Sequence, residues 1–175
     1  AITSLRETIE LQKKTLGPAH PKTLSSMNNL AFALEDTGKF DEAQSTMRKV
    51  VELQRANGFS DPESWGQLNN LASLLVKLNR PAEADRLYRE LFAAAEGKLP
   101  PDHIVRAIYR NNFGECLIAE GKFDEAKVEL EESDKVIRAF FKPEHPRVKK
   151  SQSRVERLAQ ASQSAAPSTP GTTPK

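Results

Sequence analysis

The sequence predicts an all-α solenoid of antiparallel helix pairs, and three observations carry that prediction. The string "NNLA" at Asn28–Ala31 recurs at Asn69–Ala72, 41 residues on, and as "NNFG" at Asn111–Gly114, 42 further on. Alanines 43, 84 and 126 keep the same two steps. So does a boundary phrase, "HP" at His20–Pro21, "DP" at Asp61–Pro62, His103, and "HP" again at His145–Pro146. Three anchors in one phase mark a chain of repeated units, each too small to bury its apolar face alone and so driven to stack on its neighbours. With 38% hydrophobic and 29% charged residues, 175 residues suit such a thin stack better than one large core.

Taken in order, residues 1–19 read as the second helix of an incomplete unit. Ala1 stands 19 residues before His20, the spacing of Ala84 to His103 and of Ala126 to His145. The chain is therefore expected to start inside a repeat and to derive from a longer parent. The first full unit, 20–60, opens with Pro21 at a first helical position, where its fixed φ fits and its missing N–H costs nothing. Leu24, Met27, Leu30, Ala31 and Leu34 then follow the three-and-four spacing of one buried helical stripe. Gly38 is expected to end that helix in the left-handed conformation, and Phe40 to plug the corner behind it. Asp41 complements the dipole of the next helix, whose Ala43 is small where two helices cross and whose Met47, Val50 and Val51 form its stripe.

The second unit, 61–102, takes Asp61 as its N-cap, Asn79 in place of glycine and Pro81 in place of the plug. Ala84, Leu87, Tyr88 and Leu91 continue its second helix. In the third unit, 103–144, Asp102 is the expected N-cap. The hexapeptide "GKFDEA" at Gly121–Ala126 repeats Gly38–Ala43 letter for letter, with Phe123 as plug and Leu130 and Ile137 in the stripe. Residues 145–160 read as a capping helix with Val148, Val155, Leu158 and Ala159 on its apolar face. Residues 161–175 carry three prolines and no large apolar side chain, the composition of a disordered tail.

The Leu-Ala and Phe-Gly pairs (Leu30-Ala31, Leu71-Ala72, Phe113-Gly114), Gly38 and Gly121, Phe40 and Phe123, and the alanines at 43, 84 and 126 together resemble the tetratricopeptide repeat (TPR). The period, "LGPAHP" at Leu16–Pro21 and the asparagine pairs resemble its kinesin-light-chain-like subtype of about 42 residues, which also occurs in many bacterial proteins. The resemblance covers Ala1 to about Leu158 and departs at Asn79 and Pro81. It implies a right-handed superhelical solenoid whose first helices line a concave groove.

The residues that could carry chemistry do not converge. His20, His103 and His145 occupy one repeat phase in different units and read as helix-start residues. Cys116 lies beside Leu117 and Ile118 and reads as a packing residue. No phosphate loop, zinc spacing or nucleophile elbow appears. The reading is therefore no enzyme and no cofactor or metal in this segment. A net charge of +2 points to neither nucleic acid nor membrane, and no run reaches the roughly 18 apolar residues of a spanning helix. From His145 onward six basic residues stand against Glu156 alone, which reads as a solvated cap because aromatic residues are not interleaved. The lone cysteine and the absence of a visible signal-peptide pattern suit a cytoplasmic setting.

The implied groove directs attention to the paired asparagines: Asn28/Asn29, Asn69/Asn70 and Asn111/Asn112. By the resemblance the second of each pair, Asn29, Asn70 and Asn112, forms a ladder facing the groove, joined by Ser25, Phe32, Ser73, Lys77, Ile108 and Glu115. A carboxamide both donates and accepts, so a row of them suits the backbone of an extended peptide. The alternative is that these amides bridge neighbouring helices. Lys77 is the one basic residue on that face, which argues against recognition of an acidic C-terminus. The expected function is a scaffold binding a protein or extended peptide in the groove. A second reading makes the chain the docking region of a larger bacterial signalling enzyme such as a serine/threonine protein kinase, and a third is self-association through the N-terminal flank.

Overall fold

A computed structural model of the chain describes residues 1–58 and 62–165. Among the described residues there are eight α-helices and no strand: α1 (Ile2–Thr15), α2 (Pro21–Asp36), α3 (Phe40–Ala56), α4 (Pro62–Lys77), α5 (Pro81–Ala95), α6 (Ile104–Ala119), α7 (Phe123–Phe140) and α8 (Pro146–Ala165). They form two compact units. In the first, ending at Pro100, α1 packs on α2, α2 on α3, α3 on α4 and α4 on α5; in the second, α6 packs on α7 and α7 and α6 both pack on α8.

The three tight corners obey one rule. Gly38, Asn79 and Gly121 have φ of 76°, 56° and 74°, and Asn79 is the one non-glycine residue with positive φ among those described. The turn then closes a six-to-one backbone bond, from Lys39 to Leu34 (2.8 Å), Arg80 to Leu75 (2.9 Å) and Lys122 to Leu117 (2.9 Å). A side chain raises the cost of that φ, which is why glycine holds two corners and asparagine, the next most tolerant residue, the third.

Phe40 does not plug its corner. It is 41% exposed, the first residue of α3, and the close crossing is made by Ala43 instead, fully buried as are Ala84 and Ala126. A first-turn side chain of a helix projects back toward the N-terminus, away from the partner helix. The histidines are more specific than expected. The Nδ1 atoms of His20, His103 and His145 accept the backbone N–H of Lys22, Val105 and Arg147 at 3.2, 3.2 and 3.1 Å, so each imidazole caps a helix start. His103, not Asp102, is the N-cap of α6; the expected cap Asp61 lies outside the described residues.

Phe113-Gly114 replaces the Leu-Ala pair for a steric reason. A Cβ on Gly114 would stand 2.5 Å from Leu130 Cγ, so glycine lets α6 approach a fully buried leucine on α7. The last helix also departs from expectation: α8 runs to Ala165, through the boundary drawn at 160, and Ala159 is exposed. Its inward stripe is Val148, Ser151, Arg154 and Leu158, half of it polar. On the second helices of the first unit, ion pairs step from helix to helix: Arg6 with Glu42, Arg48 with Glu83 (2.8 Å), and Arg55 forked onto Glu90 (2.9 and 2.6 Å).

Candidate partner-binding face

The face to be judged is the one shared by the first helices of each pair. In the first unit α2 presents Ser25, Asn29 and Phe32, and α4 presents Asn70, Ser73 and Lys77, spaced by three and four so that each set lies on one side of its helix. The six asparagines divide. Asn29 and Ser25 are exposed, and Phe32 is 39% exposed. Asn28 and Asn70 are half-buried and bonded, Asn70 Nδ2 donating to Asn28 Oδ1 at 3.3 Å. Asn69 is buried and donates through Nδ2 to Asn70 Oδ1, also at 3.3 Å. Lys77 is paired with Glu35, and Ser73 Oγ shares a hydrogen bond with the Tyr88 hydroxyl at 3.0 Å. On this surface Asn29 is the amide turned to solvent, with Phe32 one turn away, while the others link α2 to α4.

In the second unit the equivalent face is held by α8. Asn111 is 3% exposed, and its Nδ2 donates to Ser133 Oγ (3.1 Å) and Ser151 Oγ (2.9 Å). Arg154 Nη1 donates to Asn111 Oδ1 (2.5 Å) and Asn112 Oδ1 (2.9 Å), while its Nε donates to Glu115 Oε2 (3.1 Å). Arg157 pairs with the same carboxylate. Ser151 passes the chain on to Asp134 at 2.8 Å. Asn111, Asn112 and Glu115 are thus partners of α8, and Ile108, at the start of the same face, is half-buried. Two guanidiniums share one carboxylate, leaving one uncompensated positive charge locally.

Sequence reasoning missed Arg154, which it placed in a solvated cap; the side chain is 8% exposed. The signal was in the phase. Arg154 stands 42 residues after Asn112, and Arg157 stands 42 after Glu115. In both units the residue at the second asparagine phase reaches back to the first asparagine of the preceding pair: Asn70 to Asn28, Arg154 to Asn111.

The ionisable groups show little sign of catalytic tuning. The Lys13 ammonium bonded to Glu10 lowers its pKa, Arg48 and then Arg80 do the same for Glu83, and Lys135 for Glu132, all at the surface. Burial raises that of Tyr109. Among the described residues no three His, Cys, Asp or Glu side chains gather as a metal would require, and no helix is long and apolar enough to cross a membrane.

Comparisons with known proteins agree with this geometry. A family model for the tetratricopeptide repeat matches residues 1–56 and 67–133. Human tetratricopeptide repeat protein 19, mitochondrial, is 33% identical over 96 residues, 55% of this chain and 24% of that protein; its rat counterpart is 33% identical over 90 residues, 51% and 24%. The chain therefore spans about a quarter of the length of these relatives. Among solved structures, the kinesin light chain repeats of Podosopora anserina superpose with a TM-score of 0.77 at 25% identity, covering 94% of this chain and 78% of that one. BtubC from P. vanneervenii superposes at 0.60 with 16% identity, covering 99% and 60%, a likeness of fold.

Proposed function

The chain belongs to the tetratricopeptide repeat family, whose fold generally mediates protein–protein interaction, and from that premise we propose that it is a binding module whose docking face is the α2–α4 surface. Its ligand is an extended peptide or a peptide-like segment of a partner protein. The observation that carries this reading is the separation of Asn29 from the other asparagines. It is the exposed amide of the six, beside a phenylalanine 39% exposed, while Asn28, Asn69 and Asn70 support the surface from below. An unengaged amide can donate to and accept from one peptide unit, and the ring of Phe32 supplies the apolar area that makes such polar contacts hold in water. The first unit is favoured over the second because Asn112 and Glu115 already meet Arg154 and Arg157.

The test is selection of a displayed random-peptide library on the wild-type chain, followed by binding of enriched peptides to Asn29→Ala and Phe32→Ala variants. Binding should fall with both substitutions while helicity and Tm stay unchanged, since neither side chain is part of the packing. Enriched peptides that bind both variants as tightly as the wild type would sink the assignment.

A further inference from the structure

The corner between α7 and α8 departs from its counterparts. The other corners from a second helix to the next first helix carry left-handed glycines, Gly17 (φ 100°), Gly58 (88°) and Gly97 (68°). Here Phe141 follows α7 in extended conformation, φ −111° and ψ 152°. Phe141 packs against the Ala107, Ile137 and Val148 cluster and stacks on His145, ring centroids 4.0 Å apart and planes at 16°. Phe140 meets Phe141 edge-on at 4.9 Å and 73° and remains 63% exposed. Anchoring one ring thus holds the other out in solvent. Lys142, Arg147 and Lys149 are exposed nearby with no acidic partner among the described residues, and Glu144 is the one acid in the 140–149 stretch. A pocket of about 140 Å³ opens between Phe141, Arg138, Pro143, Val148 and Gln152, room for an aliphatic side chain.

We propose that this corner is a second docking surface, for an acidic peptide segment of a partner protein. An aliphatic side chain enters the pocket beside Phe141 and covers Phe140, and flanking carboxylates face Lys142, Arg147 and Lys149. The linear order of residues hides this arrangement: the aromatics end α7 and the cations begin α8, and the tight turn bonded from His145 N–H to the Lys142 carbonyl (3.0 Å) joins them. Charge sign alone would also admit nucleic acid or an anionic membrane. Three unpaired cations fall short of the roughly six to ten phosphate contacts that sustain strong nucleic-acid binding, and one exposed ring is not a run of stacking platforms. A membrane would require a broader apolar face than Phe140 offers.

The surface stands on the second unit and does not depend on the α2–α4 reading. The probe is a fluorescein-labelled Glu-Asp-Leu-Asp-Glu peptide titrated with the purified chain by fluorescence anisotropy. Saturable binding is expected, weakened roughly tenfold by Phe140→Ala and by the Lys142→Glu, Lys149→Glu pair, and to a similar degree by glycine for the peptide's leucine. Asn29→Ala should leave it unchanged, which separates this surface from the other. Should Phe140→Ala reduce helicity, the leucine-to-glycine peptide and the charge variants still decide. Absence of saturable binding, an affinity indifferent to these changes, or tighter binding of an oligo-dT strand or of phosphatidylserine vesicles would overturn the proposal.

Discussion

Arg154→Ala should unseat α8. The guanidinium is 8% exposed and makes three bonds, to Asn111, Asn112 and Glu115. Removing it strands the Asn111 carbonyl oxygen in a site 3% exposed, with a desolvation cost of about 1–3 kcal/mol. Asn112 is half-buried and can rehydrate. Glu115 loses one cation but keeps Arg157, so the full 3–5 kcal/mol typical of breaking a buried pair does not apply and about 1 kcal/mol is the share assigned to it. The sum is roughly 2–4 kcal/mol. Urea unfolding followed by circular dichroism, with an m-value near 2 kcal/mol/M, would show a midpoint lower by roughly 1–2 M. Because a repeat array need not unfold in one step, amide hydrogen exchange in α6 and α8 localises the loss. Arg157→Ala is the internal control: its side chain is 52% exposed, and about 0.5 kcal/mol is expected. If the two variants cost the same, or Arg154→Ala costs less than about 1 kcal/mol, the network does not hold α8 in place.

Three further outcomes are expected. His103→Ala should cost about 1 kcal/mol by loss of the cap on α6, and His103→Asn should restore most of it, measured by thermal unfolding. Gly114→Ala should destabilise by roughly 1–2 kcal/mol despite the better helix propensity of alanine, because the new methyl collides with Leu130; combined with Leu130→Ala, the two should cost less than their sum in a double-mutant cycle. Glu83 has its pKa lowered by the hydrogen bond from Arg48 and by Arg80. Its contribution to stability is therefore present above the unfolded carboxylate pKa and lost as pH falls through the folded value, so Glu83→Gln should flatten the acid limb of the stability profile below about pH 4.5.

Much of the architecture was legible because periodicity reports which side of a helix faces inward. The glycines and the asparagine at the tight corners, the alanines at the crossings and the buried Cys116 were all readable as phase plus steric need. Phase does not report reach. Phe40 has the right phase to plug a corner, but its position at the start of α3 points it outward. Asp102 is a good capping residue, yet the histidine after it has the Nδ1 lone pair at the distance the backbone N–H needs. Arg154 looked like one more cation on a solvated helix; its length lets it cross to the asparagines of α6. The asparagines were correctly singled out as informative, but repetition of the letters concealed their division into exposed and bridging roles.

The two units are joined internally by different kinds of fastening. In the first, the steps from α1 to α3 and from α3 to α5 are spanned by surface ion pairs, whose side chains are 39–53% exposed. In the second, α8 is tied down by hydrogen bonds shielded from water. Dissolved ions weaken the former and scarcely reach the latter, since the screening length contracts from about 30 Å at 0.01 M to about 3 Å at 1 M. The spring constant of the first unit is thereby set partly by the medium, while that of the second is set by the chain itself.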